Sequence, residues 1–375
     1  MKILHTSDWH LGKSLSRKDR TEDFQRMIRW FLDVVEEEQP DVILISGDIF
    51  DTTMPGPEAW RLYFDFLNQV AHTRRSVVIT AGNHDSVSIL KAPADLLSKM
   101  NIHVRASAVE DVLIPFDDIT VVAMPYIRVR DLNFSLDSDE QMSKAVMDHY
   151  ARVADQAMKR QNPLVAMGHL SMFGATYWGD GVRAIRCGFG DADLDCFDFA
   201  DYVALGHFHI HQKVGGIDRI RYSGSPMAFG FADANLDHGV LMVDTDDFSI
   251  RWIKAPVFRS MVLLKGTLDE IEKSMASVHE PSWFSVVVSG LDMTMDVFRH
   301  RLEQQMPEGS EILSISTERS ASKNELVLAS ERPADLRSIN PLDVFKAKLI
   351  EENIPSEEWN AYIVMHNEIL EGVQR

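Results

Sequence analysis

Five short motifs carry Asp, Asn and His side chains, residue types whose oxygen and imidazole groups bind divalent metal ions. They are DWH, GDIFD, GNHD, GHLS and GHFH, and each follows an apolar run that we predict to be a buried strand. Ligand sites in open α/β sheets assemble at the carboxyl ends of the strands. The polar candidates in these motifs are Asp8, His10, Asp48, Asp51, Asn83, His84, Asp85, His169, His207 and His209.

Each motif alone also has an ordinary structural explanation. An Asp after a strand commonly caps a turn or a helix, and an Asn-His pair in a glycine-rich turn tolerates unusual backbone angles. A lone histidine is more often a hydrogen-bonded core residue than a ligand. Because all five motifs end successive apolar runs, chance placement explains them poorly, and we favour a shared metal site.

The types of ligand indicate which ions fit. Carboxylates, an amide oxygen and imidazoles without a thiolate suit Mn²⁺, Fe²⁺ or Zn²⁺. The candidates outnumber the ligands of one tetrahedral zinc, so the sequence predicts a pair of ions about 3.5–4 Å apart. Asp48 is the natural bridging carboxylate between them. The spacing of His207 and His209 places both imidazoles on one side of an extended segment.

The elements that would position these motifs alternate in the first half of the chain. Amphipathic segments TEDFQRMIRWFLDVVEEEQ and GPEAWRLYFDFLNQVAHT separate the apolar runs and predict two helices. After about Asp191 strands and turns dominate, with DTDD as a predicted hairpin turn. The pattern predicts an α/β layered fold.

Three regions are predicted along the chain. We place the first at residues 1–256 and a small α+β unit at 257–335, where strands and helices alternate between proline-containing breaks. The last, residues 336–375, is a helical tail broken at Pro355. Its apolar face would dock onto the chain's own body or, equally, onto another protein.

Composition limits the classes of function. A net charge of −19 argues against coating nucleic acid by bulk electrostatics, so metal ions or a partner would have to attract a polyanion. The N-terminus carries no long apolar run, and the two cysteines, Cys187 and Cys196, form no CxxC motif. We therefore expect no membrane association and a cytoplasmic location.

The motif series resembles the calcineurin-like metallophosphoesterase superfamily over roughly residues 1–240. The segments ILHTSDWHLGKSL, PYIRVRD and RYSGSPM are similar to the subgroup of bacterial DNA-repair nuclease subunits that act with a coiled-coil ATPase. The resemblance implies a two-sheet sandwich flanked by helices, a small α+β capping domain and the helical tail.

The resemblance also assigns roles to individual residues. It implies that one ion is held by Asp8, His10, Asp48 and His209. It implies that the second is held by Asp48, Asn83, His169 and His207. His84 would protonate the leaving group or stabilise the transition state, and Asp85 would orient the His84 ring.

The activity implied by the resemblance is hydrolysis of DNA with two divalent ions, of which Mn²⁺ is expected. It comprises a 3′ to 5′ double-strand exonuclease and a structure-specific endonuclease acting on hairpin ends. The implied assembly is a homodimer, through helices near residues 55–70 and 87–100, with two copies of the ATPase bound to the tail.

Two alternatives remain open from sequence. One is a phosphodiesterase or phosphatase for small phosphate esters, which suits the acidic surface. The other is a scaffold that holds DNA ends without cutting them. The cationic side chains beside the motifs would contact a DNA backbone or form an ordinary solvated face. They are Lys13, Arg17, Lys18, Arg20, Arg128 and Arg130.

Overall fold

The computed structural model of the chain describes residues 1–128, 131, 139–172, 174–175 and 194–317, with the backbone alone for 139–143. The predicted tail over 336–375, the end of the predicted capping unit, Cys187 and Arg130 lie outside the described residues.

The first sheet has six strands in the order β12-β11-β1-β2-β3-β4. Its strands are β1 (Lys2–Thr6), β2 (Val42–Ser46), β3 (Ser76–Thr80), β4 (Ile102–Arg105), β11 (Gly239–Asp244) and β12 (Ser249–Lys254). Strands β1 to β4 pair in parallel, whereas β11 joins β1 and β12 in antiparallel fashion. The register pairs Asp244 with Ser249 across the predicted DTDD hairpin, which is confirmed.

The second sheet also has six strands, in the order β5-β6-β7-β8-β10-β9. Its strands are β5 (Leu113–Pro115), β6 (Thr120–Ala123), β7 (Leu164–His169), β8 (Tyr202–Gly206), β9 (Gln212–Val214) and β10 (Ile217–Tyr222). The four central strands β6, β7, β8 and β10 are parallel. Buried parallel strands lack polar alternation, which explains their runs of Val, Ile, Leu and Ala.

The two sheets pack face to face around a shared apolar layer. Ile3, Leu44 and Val78 of the first sheet pack in it with Val165 and Ala204 of the second, and all five are fully buried. The predicted two-sheet sandwich is therefore confirmed.

Helices cover the outer faces of the sandwich. They are α1 (Thr21–Glu38), α2 (Pro57–His72), α3 (Val87–Lys91), α4 (Ala94–Ser98) and α5 (Asp139–Ala157). Phe31 and Phe66, from α1 and α2, pack with Ile43 on the first sheet, whereas Tyr150 of α5 packs with Ala166 on the second. Within the described residues, no helix combines the length and the apolar character needed to cross a membrane.

A smaller unit follows the sandwich and has a core of its own. Its elements are β13 (Ser260–Gly266), α6 (Leu268–Met275), β14 (Ser282–Val288), α7 (Met295–Glu303) and β15 (Glu311–Thr317). The three strands are parallel, in the order β13-β14-β15. Phe284 and Phe298 are fully buried in its apolar cluster.

Ion pairs connect this smaller unit to the sandwich. The buried carboxylate of Asp23 accepts from Arg20 at 3.0 Å and from Arg259, just before β13, at 2.8 Å. Lys18 lies 2.5 Å from Glu311 of β15. The loop that follows the first motif therefore contacts the smaller unit directly.

Candidate metal centre

The five motifs lie where the carboxyl ends of five strands meet across the sandwich. Neighbouring strands β1, β2 and β3 end at the first three motifs, and neighbouring strands β7 and β8 end at the last two. The clustered side chains, which include all seven ligands implied by the resemblance, are Asp8, His10, Asp48, Asn83, His84, His169, His207 and His209.

Four of the motif residues have left-handed backbone conformations, which non-glycine residues adopt rarely and at a cost. The φ angles are 53° at Asp8, 46° at His10, 51° at Asp48 and 108° at His207. Hydrogen bonds hold these conformations, since the amide of Asp8 donates to Gly47 O and that of His10 to Asp48 O, both at 3.0 Å. Such strain typically clusters at functional sites.

Glycines allow the motifs to approach one another closely. A Cβ atom at Gly82 would overlap the Asp48 carboxylate, and one at Gly206 would overlap Ser46 O. At both positions a side chain would push one strand end away from its neighbour.

The first group of donor atoms joins the start of the chain to the loop after β8. The Nε2 atom of His10 lies 3.2 Å from Nε2 of His209 and 3.5 Å from Asp48 Oδ2. Ligand atoms of Asp8, His10 and His209 all lie within 4.8 Å of one another. Ring nitrogens that converge beside carboxylates form a donor set that fits a divalent cation.

The second group shares Asp48 with the first. Asp48 Oδ2 lies 3.3 Å from His169 Nε2, and the amide oxygen of Asn83 lies 3.0 Å from the same nitrogen. The Nδ1 atom of His207 is 3.1 Å from that amide oxygen. Because Asp48 belongs to both groups, it has the position expected of a bridge.

Polar groups on the far sides of two rings indicate which nitrogen faces the centre. His169 Nδ1 donates to Ser46 O at 2.8 Å, which leaves Nε2 as the ligand atom. His10 Nδ1 lies 3.4 Å from Asp51 Oδ1, and that oxygen accepts from Lys13 at 2.8 Å. The Asp51 carboxylate thus lies between the ammonium group of Lys13, at the edge of the site, and the imidazole of His10.

The buried carboxylates and imidazoles of the centre interact electrostatically. Burial alone would raise the pKa of Asp48, but the neighbouring His169 and His10 hold it well below its usual range. Burial alone would lower the pKa of His169, yet Asp48 and Asp8 raise it to about 9. Carboxylates and imidazoles packed this closely shift one another's pKa values strongly. A divalent cation among them would require deprotonated carboxylates and neutral imidazoles as its ligands.

His84 lies beside His10 and Asp48. Its amide donates to Asp48 Oδ1 at 2.9 Å, and its Nδ1 donates to the carbonyl of Asp51 at 2.7 Å. The ring is 4.8 Å from that of His10, edge to face. The Nδ1 contact leaves Nε2 as the nitrogen able to exchange a proton with a substrate.

Asp85 has partners different from those expected. Its buried carboxylate accepts from the amides of Gly82 at 2.8 Å, Phe50 at 3.0 Å and Ile49 at 3.1 Å. Burial and the nearby Asp48 charge raise its pKa to about 6. Asp85 therefore ties the GNHD turn to the GDIFD loop, while the His84 ring takes its orientation from a backbone carbonyl.

Other side chains near the centre were not assigned a role from sequence. Phe229 packs edge to face on His10 and His209, with ring centroids 5.1 Å apart in each case, and nothing in its local sequence marks it. Asp51 belongs to the GDIFD motif, so its position after a predicted strand indicates that it lies near the centre. His5 lies away from the groups, bonded to Tyr202 at 2.8 Å.

Comparison with known families matches two parts of the chain. Residues 1–211 match the family described as calcineurin-like phosphoesterase. Residues 257–353 match the family described as type 5 capsule protein repressor C-terminal domain.

Individual relatives match over greater lengths. The SbcD component of the nuclease SbcCD from Escherichia coli (strain K12) is 32% identical over 380 aligned residues, covering 96% of this chain and 95% of that protein. The protein of the same name from Rhodobacter capsulatus is 33% identical over 270 residues, covering 65% of this chain and 66% of that protein. The solved structure of TT1561 from Thermus thermophilus has a TM-score of 0.40 at 10% identity, covering 68% of this chain and 98% of that one.

A two-sheet sandwich with carboxylate, amide and imidazole donors at the shared strand ends defines a metal-dependent phosphoesterase. The chain belongs to the calcineurin-like phosphoesterase family. The predicted resemblance, including that to the nuclease-subunit group, is confirmed.

Proposed function

We propose that the protein is the nuclease subunit of an SbcC–SbcD type complex. It would hydrolyse DNA phosphodiester bonds as a 3′ to 5′ double-strand exonuclease and as a structure-specific endonuclease that opens hairpin ends. The observation that carries this proposal is the convergence of the whole implied donor set at one edge of the sandwich, in a chain related to nuclease subunits over 96% of its length.

The cofactor in this proposal is a pair of divalent ions, with Mn²⁺ as the physiological choice. One ion is assigned to Asp8, His10, Asp48 and His209. The other is assigned to Asp48, Asn83, His169 and His207. When bound, such a pair supplies a hydroxide nucleophile and neutralises charge on the phosphoryl oxygens. The short distances from Asp48 Oδ2 to His10, at 3.5 Å, and to His169, at 3.3 Å, support this division.

The chain's own residues perform the remaining steps. In its doubly protonated form His84 donates the Nε2 proton to the leaving oxygen, while its Nδ1–H stays bonded to the Asp51 carbonyl, which holds the orientation of the ring. Asp85 acts indirectly, because its three amide contacts set the path of the turn that carries His84.

The proposed assembly is a homodimer joined by two SbcC ATPase subunits, a heterotetramer of two plus two, in the cytoplasm near the nucleoid. Phe64, Leu96 and Met100 are 42%, 64% and 38% exposed, and they lie in the two segments expected to form the dimer contact. Residues 257–335 would cap the site. The tail over 336–375 would bind the base of the SbcC coiled coil.

The decisive assay uses a hairpin-ended duplex with and without Mn²⁺, and with and without the ATPase. We expect cleavage only with the metal, and opening of the hairpin only with both. Absence of cleavage under all four conditions, in protein that binds Mn²⁺, would contradict the proposal. A His84→Ser variant serves as the matched catalytic control.

One observation favours a second candidate, a phosphoesterase for small esters. The net charge of −19 attracts no polyanion by itself. The comparison is kcat/KM on bis-p-nitrophenyl phosphate against linear duplex DNA, and a preference for the small ester would favour this candidate. The donor set and His84 argue against a non-cutting scaffold, which has no chemical use for them.

A further inference from the structure

Arg128 holds the GNHD turn from outside the metal centre. Its Nη2 atom donates to the carbonyl of Gly82 at 3.1 Å and to that of Asp85 at 2.6 Å. These carbonyls stand on either side of Asn83 and His84. One nitrogen therefore bridges both ends of the turn and fixes the distance between them.

The segment that carries Arg128 is itself fixed to the same strand end. The amide of Tyr126 donates to Ala81 O at 2.8 Å, and the amide of Arg128 donates to Asp131 Oδ2 at 3.0 Å. The guanidinium lies 5.8 Å from the Tyr126 ring centroid. Its backbone anchors and the ring place the guanidinium, so its position does not depend on a bound substrate.

The turn under this clamp carries two functional side chains. The Asn83 amide oxygen faces His169 Nε2 at 3.0 Å, and the amide of His84 bonds to Asp48 Oδ1 at 2.9 Å. Asp85 restrains the amide side of the turn, and Arg128 restrains its carbonyl side. A rotation of the turn would displace both side chains together.

The geometry points to Arg128 as a positioning residue that holds the Asn83–His84 turn, and not as a DNA contact. This inference rests on the proposed function, since it concerns the same centre. The Nη1 atom of Arg128 is buried from solvent without a hydrogen-bond partner, and its Nη2 atom is bonded to both carbonyls of the turn, so the side chain is directed at the protein. Groups that orient metal ligands typically change metal affinity by about 10–100-fold when they are removed.

Two substitutions separate position from charge. Arg128→Met keeps the aliphatic stem and removes all donors. Arg128→Lys keeps the positive charge on a side chain that is one bond shorter and has no planar fork. If Arg128 acts by position, both variants are impaired. If it acts by attracting DNA, the lysine variant keeps most of its function.

The chain offers a matched control. Arg219 of β10 donates from Nη1 to the carbonyls of Phe197 and Ala200, at 2.9 and 3.0 Å, in the segment before β8. That segment lies at the amino end of the strand, away from the metal centre. Arg219→Met therefore removes a comparable clamp without touching the GNHD turn.

The first measurement is Mn²⁺ binding to the metal-free full-length chain, followed by the electron paramagnetic resonance signal of free Mn²⁺. We expect the wild type and Arg219→Met to bind two ions alike. Both Arg128 variants should bind one of the two ions about 10–100-fold more weakly. DNA affinity in a chelator should be unchanged in all four proteins.

The second measurement compares substrates at saturating Mn²⁺. Both Arg128 variants should lose more kcat on DNA than on bis-p-nitrophenyl phosphate, whose leaving group does not require a proton. Weaker DNA binding in chelator with normal Mn²⁺ binding would overturn the inference. The inference would also be overturned if the Arg128 variants matched Arg219→Met in Mn²⁺ affinity and in the ratio of kcat on DNA to kcat on bis-p-nitrophenyl phosphate. Wild-type protein that binds two Mn²⁺ but cuts no DNA would contradict the proposed function. The Mn²⁺-binding measurement would still decide the role of Arg128 in that case.

Discussion

The Nε2 atoms of His10 and His209 lie 3.2 Å apart, although 199 positions separate the two residues in the sequence. Both rings also pack on Phe229. At this distance the N–H of one neutral imidazole can donate to the other, or both nitrogens can bind one cation, and Asp48 Oδ2 lies 3.5 Å from His10. The pair therefore belongs, with Asp8, to a cluster of donor atoms that could hold a metal ion.

His84→Ser should abolish DNA cleavage while sparing Mn²⁺ and DNA binding. The lost proton donor should lower kcat by about 10²–10⁴-fold, because general acid catalysis contributes that much. Rates on hairpin DNA and binding isotherms measure this directly. His72→Ser, which removes an exposed histidine of α2 bonded to Asn68 O, is the control and should leave the rate unchanged. Unimpaired cleavage by His84→Ser would refute the assigned role.

Gly82→Ala should disturb the centre by steric overlap. The added methyl group would overlap the Asp48 carboxylate, so either the turn or the bridge must move. Overpacking of this kind costs about 1–3 kcal/mol of folding free energy, and Mn²⁺ affinity should fall with it. Urea unfolding and Mn²⁺ titration are the measurements. Gly56→Ala, where no atom lies within 4 Å, is the matched control. Normal metal binding by Gly82→Ala would show that the contact is tolerated.

Asp23→Ala should weaken the joint between the sandwich and the smaller unit. It would leave Arg20, whose side chain is 1% exposed, without its carboxylate, and Arg259 would lose the same partner. Removing one member of a buried ion pair costs about 3–5 kcal/mol. Thermal or urea unfolding measures the loss. Glu22→Ala removes the neighbouring exposed carboxylate, 4.0 Å from Arg259, and should change stability little. Equal effects of the two variants would contradict the importance of the buried pair.

His5 should make stability depend on pH below neutrality. Burial lowers its pKa from 6.5 to about 3, so the unfolded chain takes up a proton that the folded chain refuses. The stabilisation is complete above pH 6.5 and is lost as pH falls toward 3, at up to about 1.4 kcal/mol per pH unit. We expect His5→Gln to flatten this slope in metal-free urea titrations between pH 6.5 and 4. His72→Gln is the control, and identical slopes for wild type and His5→Gln would contradict the prediction.

Much of the fold followed from local patterns. Helices α1 and α2 match the predicted amphipathic segments, because their apolar spacing and starts are local features. Helix α5 was not predicted, although Val146, Tyr150 and Val153 are buried at helical spacing. The spacing of these three residues is a local helical signal.

The centre was less completely predictable. The convergence of the five motifs at one site could be predicted, because each motif directly follows an apolar run that reads as a strand. The partners of Asp85 did not, since adjacency to His84 suggested a ring contact, whereas the turn directs its carboxylate back to three amides. The packing of Phe229 depends on tertiary structure alone, because no local pattern places it beside His10.

The most direct test of the account is anomalous diffraction from crystals grown with Mn²⁺. We predict two ions about 3.5–4 Å apart, both contacting Asp48. Asp48→Asn should lose both ions, and Asp118→Asn, at an exposed position, should keep both. A single ion, or Mn²⁺ bound without any contact to Asp48, would contradict the binuclear centre on which the proposed hydrolysis depends.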